Sequence, residues 1–309
     1  MFSTERPDPS GVSRRIPLPQ LPSPNARESY PPTGDAARDL PVEVMADLTG
    51  EKKEKCGIFG IAGPADVVER CYYGLYALQH RGQESAGLAI ADGHVITAHT
   101  GLGLVSDVFK HDVLRQLTGS GGGLAIGHVR YSTAGSNRKC NAQPILEEYA
   151  GGQVAVAHNG NLVNAAKLKW EYQQHGHIFY STSDTEVVIH MLAKPTHQEK
   201  ADPLAHVLRH LQGAFSFLFL FADRIEACRD PWGFRPLVIG KTRDGFYCFA
   251  SETCALSSIQ AAYVREVEPG EIVTLDRTGT KISSRFFTET RPASPAHCAF
   301  EHVYFASPS

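Results

Sequence analysis

From residue 56 onward, apolar residues recur along the chain in two rhythms, one of two residues and one near 3.6. CGIFGIA, at 56–62, predicts a buried strand. VVERCYYGLYALQ then places Val67, Cys71, Leu75 and Leu78 on one face of a helix that ends at the polar HRGQES turn. LAIADGHVITAHTG has a hairpin pattern about Asp92-Gly93. LAIGHVRYS, after the Gly-rich run Gly119 to Gly123, and VAVAHNG are both strand-like. NAAKLKWEYQQHG predicts a helix stopped at Gly176. STSDTEVVIHMLAK predicts a helix opened by a capping box, with Ser183 as N-cap and Glu186 three residues on. PLAHVLRHLQG is a further helix. AFSFLFLFAD, RIEACRD, RPLVIGK, GFYCFAS and YVREVEPGEIVTLD, the last with a Pro-Gly turn, form a strand-rich final part. Helix groups among sets of strands predict one layered α+β sandwich over 56–290.

The first 55 residues lack either rhythm. Nine of the 19 prolines lie between Pro7 and Pro41, with few aromatics. Such a segment buries too little apolar surface to offset its ordering entropy, so disorder is expected over 1–55. It has no apolar core of a signal peptide, and Asp8, Glu28, Asp35, Asp39, Glu43 and Asp47 are unusual in a transit peptide.

Composition changes this picture little. The chain of 309 residues is 42% hydrophobic and 20% charged, with a net charge of −3. That balance offers no electrostatic reason to expect a nucleic acid or an anionic membrane as partner. Seven cysteines form no C-x-x-C pair, which leaves a zinc ribbon or a thioredoxin-like site unsupported and points to a reducing, cytoplasmic setting. No apolar run is long enough to span a bilayer.

The abrupt change from EKKEK to CGIFG at Cys56 has two readings. Cys56 is a core cysteine at the start of a strand, or the functional chain begins there. No cysteine lies in a G-x-C-x-G elbow, so a triad of that kind is not indicated. An N-terminal cysteine needs no such elbow. Its own α-amino group, with a pKa of about 7.7–8.0 against about 8.5 for a thiol, can exchange the thiol proton near neutral pH. Cleavage after Lys55 would create that device.

Five motifs occur in order: CGIFG from Cys56, GLYALQHRGQESAG from Gly74, GHVRYST from Gly127, AHNGNLVN from Ala157 and TSDTE from Thr182. Together they resemble the glutaminase domain of the N-terminal-nucleophile (class II) glutamine amidotransferases. RDPWGFRPLVIG from Arg229, ASETCAL from Ala250 and EVEPGE from Glu266 resemble the amidophosphoribosyltransferase branch of that group, whose members act in purine synthesis.

The resemblance implies a four-layer αββα sandwich and a set of roles. Cys56 would attack the side-chain amide of L-glutamine and form a thioester. Asn159 and Gly160 would supply the oxyanion hole, although by propensity Asn159-Gly160 also reads as a plain turn. Arg130, at a strand end, would take the substrate's α-carboxylate, and otherwise reads as a surface arginine. Asp184 would take the α-ammonium, and near a helix start it also suits the helix dipole. Arg81 and Tyr131 would couple the glutamine-site loops to a second domain. His80, His128 and His158 would be structural hydrogen-bonders rather than bases.

Two departures accompany the resemblance. The segment that binds phosphoribosyl pyrophosphate in this branch is not found, so 291–309 reads as the start of a linker toward a phosphoribosyltransferase domain. The chain thus reads as the front half of a longer protein or a frameshift product. Cys298 matches one of four cysteines that hold a [4Fe-4S] cluster in part of the branch, and the other three are not found. No cofactor is expected of this chain alone. Mg2+ and a [4Fe-4S] cluster, with homo-oligomeric assembly, are what the resemblance implies for a full-length enzyme. A stand-alone glutaminase subunit and a non-catalytic glutamine-binding module are the other readings.

Overall fold

The computed structural model describes residues 55–131, 138–289 and 296. The disorder expected over 1–55 and the linker expected over 291–309 fall outside these residues, except for Lys55 and Ala296.

Two antiparallel sheets form the centre. The first carries, in spatial order, β11 (Ala261–Glu266), β9 (Val238–Thr242), β10 (Tyr247–Ala250), β1 (Lys55–Ala62), β4 (Leu124–Tyr131), β2 (Ser85–Ala91) and β3 (Ile96–Leu102). The second carries β13 (Ile282–Phe286), β12 (Glu271–Asp276), β8 (Arg224–Arg229), β7 (Gly213–Leu220), β6 (Gly152–Leu162) and β5 (Ile145–Tyr149). Helices α1 (Val67–Ala77), α2 (Val105–Val108), α3 (His111–Gly119) and α8 (Thr253–Ser258) cover the outer face of the first sheet. Helices α4 (Ala165–Gln174), α5 (Thr185–Ala193) and α7 (Pro203–Leu208) cover the second, with α6 (Pro195–Gln198) between the last two. The result is the expected α+β fold with helix, sheet, sheet and helix layers.

The period of two in the strands explains the layering. On β1, Phe59 and Ile61 point to the helices, while Ile58 and Ala62 join the layer between the sheets. On β6, Val154 and Val156 face the helices, and Ala155 and Ala157 face the opposite sheet. The inter-sheet layer is small and aliphatic, filled by Ile58, Ile126, Leu218, Ile225 and their neighbours. Helix α1 lies close to its sheet because Gly74 leaves room for the Phe59 ring, which a Cβ there would approach to 2.5 Å. Fully burying a ring such as Phe59 contributes roughly 1.5–3 kcal/mol.

The long periodic elements agree with the sequence reading, and the hairpin turn is closed by Asp92, whose carboxylate accepts the His94 and Val95 amides at 2.7 and 2.8 Å. Three details differ. The short elements α2, β5, α8 and β13 have too few residues to display a period, and α3 is absent from the sequence reading. Asn159-Gly160 is not a turn: it lies within β6, paired with Ser216 and Phe215 of β7. The capping box is not formed, because the Glu186 carboxylate reaches back to the amides of Tyr180 and Ser181 at 2.7 and 2.8 Å. The Pro269-Gly270 turn is present as read, but the strands on its two sides do not pair with each other: β11 pairs with β9 in one sheet and β12 with β8 and β13 in the other.

Candidate active site

At one end of the inter-sheet layer the aliphatic filling gives way to polar side chains. Cys56, Arg130 and Ser85 stand side by side across three strands, since Cys56 pairs with Arg130 and Arg130 with Ser85. Their positions continue the alternation of Ile58, Ile126 and Ala89, so all three face the opposite sheet. From that sheet Asn159 faces them, continuing the alternation of Ala155 and Ala157. The two sheets are tied here by His128 of β4, whose Nε2 lies 3.0 Å from the His158 carbonyl oxygen.

Burial sharpens the roles these residues can play. Cys56 and Asn159 are almost fully buried, and Arg130 is 5% exposed, which overturns the reading of a surface arginine. Neither the amide nitrogen nor the oxygen of Asn159 has a hydrogen-bond partner in the structure. Leaving such a group unmatched costs about 1–3 kcal/mol, so it needs a functional reason. Buried atoms of Glu84, Ser85, His128 and His158 are also unmatched in the same region. Gly160 follows because β7 passes close by: a Cβ there would lie 2.1 Å from the Ala214 carbonyl oxygen.

Asp184 reaches the same end from the start of α5. Its side chain makes no capping bond to its own helix. Instead it accepts the Leu162 amide at 2.8 Å and lies 3.3 Å from Nδ1 of His158, next to Thr185 Oγ1 at 3.2 Å. Burial, with the charge of Arg130 added, pushes the His128 imidazole down to about 3 despite its bond to the His158 carbonyl, so His128 is neutral at physiological pH.

Two positioning residues escaped the sequence reading. Asn141 grips Thr182 through both ends of its amide, at 2.8 and 2.9 Å. Gln143 accepts the His158 amide at 2.8 Å and donates to Thr185 Oγ1 at 2.9 Å, joining β6 to the start of α5. Both are buried polar residues in a short irregular stretch, where no periodicity marks them. Arg81 is buried and donates from Nε to the Cys56 carbonyl oxygen at 2.8 Å. Tyr131 ends β4 and is 37% exposed. Cys298 lies outside the described residues. Among those residues, His80, Glu252 and Cys254 are the one group whose ligand atoms could share an ion, and Glu252 is already paired there with Arg81. That set does not fit a cluster held by four cysteines.

The RDPWGFRP stretch is a self-bonded loop. Asp230 accepts the amides of Trp232 and Phe234, and Arg229 donates to the carbonyls of Gly233, Arg235 and Val267. No helix among the described residues is long and apolar enough to cross a membrane.

The polar end of the sandwich thus offers a thiol, a buried guanidinium beside it, an unmatched amide opposite and a carboxylate at a helix start. Residues 128–258 match the family model of the glutamine amidotransferase domain. Amidophosphoribosyltransferase 2, chloroplastic, of Arabidopsis thaliana is 43% identical over 94% of this chain and 51% of its own length. The Bacillus subtilis amidophosphoribosyltransferase is 43% identical over 86% of this chain and 54% of its own. A solved glutamine phosphoribosylpyrophosphate amidotransferase from B. subtilis, complexed with ADP and GMP, superposes with a TM-score of 0.72 at 40% identity, covering 82% of this chain and 53% of that one. The chain spans about half the length of the curated relatives it matches. Domain match, sequence identity and superposition agree: the chain carries a match to the glutamine amidotransferase domain and is similar, over about half of their length, to amidophosphoribosyltransferases.

Proposed function

We propose that this chain hydrolyses the side-chain amide of L-glutamine through a thioester on Cys56, and that the ammonia serves to convert phosphoribosyl pyrophosphate to 5-phosphoribosylamine. The observation that carries the reading is the buried, unmatched amide of Asn159 facing the layer into which Cys56 projects. A buried donor without a protein partner is pre-organised for charge that appears only during reaction.

In the mechanism, the Cys56 thiolate attacks the amide carbon, and the oxyanion is received by the Asn159 side chain and the Gly160 amide. Collapse expels ammonia after proton transfer to nitrogen, and water then releases glutamate from the thioester. Arg130 takes the substrate's α-carboxylate and Asp184 its α-ammonium, which fixes the amide against the thiol. The neutral imidazole of His128 adds no charge to the site. In the unprocessed chain the Cys56 nitrogen is a peptide amide bonded to Lys55 and is not basic. The base is therefore the α-amine released when residues 1–55 are removed as a pro-segment.

Use of the ammonia requires a phosphoribosyltransferase partner domain, for which Arg81 and Tyr131 are the coupling positions. Mg2+ and a [4Fe-4S] cluster involving Cys298, homo-oligomeric assembly and a cytoplasmic setting belong to the same reading of the longer protein. Iron analysis, sizing and cell fractionation test them. The central experiment measures glutamate release by the processed chain and by Cys56→Ala: turnover in the first and none in the second supports the reading, and persistent turnover in Cys56→Ala overturns it.

A further inference from the structure

We propose that Glu252 is a positioning residue for the nucleophile, acting through Arg81 on the backbone of Cys56. The proposal rests on the reading of Cys56 as the nucleophile and adds to it a residue outside the substrate site.

The contacts form a closed path that leaves β1 and returns to it. Ser251 follows β10, the strand beside β1, and is locked to Ile58 twice. Its amide donates to the Ile58 carbonyl at 3.0 Å, and its hydroxyl accepts the Ile58 amide at 3.0 Å. The next residue, Glu252, is thereby held in register with the first residues of β1. Its carboxylate pairs with Nη1 of Arg81, while Arg81 Nε donates to the Cys56 carbonyl oxygen at 2.8 Å. His80 Nε2 lies 3.1 Å from both carboxylate oxygens of Glu252 and closes the solvent side. The Cys254 thiol, 3.6 Å from Glu252, lines the other side.

Two physical arguments give this path a function. Arg81 is 1% exposed, and a buried guanidinium needs a counter-charge to remain there. Glu252 supplies it, so the donor on the Cys56 carbonyl depends on Glu252. Secondly, the path matters most after processing. In the unprocessed chain Lys55 pairs with Tyr131 and holds Cys56 from its N-terminal side. Cleavage removes that anchor, and free chain ends fray. The mature Cys56 is then the first residue of β1, still laddered to Arg130 of β4, and the Arg81 bond to its carbonyl is a further restraint at the new chain end. Misplacement of a reacting group by about 1 Å can cost a hundredfold in rate.

The test uses the processed chain and compares Glu252→Gln with the wild type. Expected is a fall of roughly tenfold or more in kcat with KM for glutamine within about twofold, since no substrate contact is altered. Labelling of Cys56 by a glutamine-shaped chloroketone should slow in parallel, whereas labelling by iodoacetamide, which needs no alignment, should not. Glu252→Asp should recover part of the loss. Should Glu252→Gln fail to fold, Arg81→Met with Glu252→Met removes both charges together, and the same kcat loss is expected. Wild-type kcat in either folded variant, or equal slowing of both labels, would overturn the proposal. Cys56→Ala separates the two levels: an active Cys56→Ala refutes the nucleophile itself, while an inactive one beside an unimpaired Glu252→Gln refutes only the role of Glu252.

Discussion

Arg130 stands directly opposite Cys56 across the β1–β4 ladder, each pointing into the layer between the sheets. If Cys56 is the nucleophile, a guanidinium buried one strand away from its thiol would fix where the substrate's carboxylate lies. The pairing also makes the consequences of single changes specific.

If the α-amine of Cys56 is the base, activity must follow processing. N-terminal sequencing of an active preparation should begin at Cys56. Full turnover in material that intact mass shows to retain Met1 would refute the free-amine mechanism.

Among the cysteines, a glutamine-shaped diazoketone should modify Cys56. Burial pushes the thiols of Cys71 and Cys228 up, that of Cys248 to about 12 and that of Cys254 to about 11, so they remain protonated and slow. Cys140 is exposed and should react with iodoacetamide but not with the glutamine analogue. Peptide mapping that found the analogue on Cys140 in place of Cys56 would move the site.

Arg130→Leu and Asp184→Asn should weaken glutamine binding. A hydrogen bond to a charged group contributes roughly 1.5–3 kcal/mol, which corresponds to about ten- to a hundredfold in KM. Unchanged KM in both variants would contradict the assigned ends of the substrate.

Asn159→Ala should act on the rate rather than on binding, lowering kcat by about a hundredfold if one oxyanion donor is lost. Its effect on stability should be small, because deleting an unmatched buried amide relieves a desolvation cost that offsets the cavity left behind. A normal kcat with raised KM would remove Asn159 from the oxyanion hole.

Acid should destabilise the fold in two stages. His128 is lowered by burial to about 3, so the unfolded chain binds the extra proton below its ordinary pKa of about 6.5. Stability is full above that value and falls as pH drops toward 3, by about 2–3 kcal/mol between pH 6.5 and 4.5. Burial alone would raise Glu186, but bonds from His190, Ser181 and the Tyr180 and Ser181 amides outweigh it and hold the carboxyl at about 2. Its contribution is lost below about pH 4.5 as the pH falls toward 2. Thermal melts of a His128→Phe variant should therefore show a flatter profile between pH 6.5 and 4.5. An unchanged slope would mean that another group governs that range.

The elements with long periods, β1, α1, the β2–β3 hairpin, α4, α5 and β7, were legible from residue spacing, because a helix or strand face is recorded within a few neighbouring residues. The ordered motifs also named Cys56, Arg130, Asn159 and Asp184 as candidates. Short elements such as α2 and β13 were not legible, and neither were Asn141 and Gln143, whose importance lies in what they bond rather than in any pattern they form.

By itself, then, the sequence determined the α+β class, the alternating faces of the strands and the residue types available for chemistry. Only the tertiary structure decided that the Pro269-Gly270 turn passes between sheets, that Asn159-Gly160 continues a strand, that Arg130 is buried and that Glu252 meets Arg81 from 171 residues away. The reason is physical. Periodicity is a local property of the backbone, whereas strand partners and buried charges are chosen by how whole sheet faces are covered, and an arginine reads the same in sequence whether it meets water or a carboxylate.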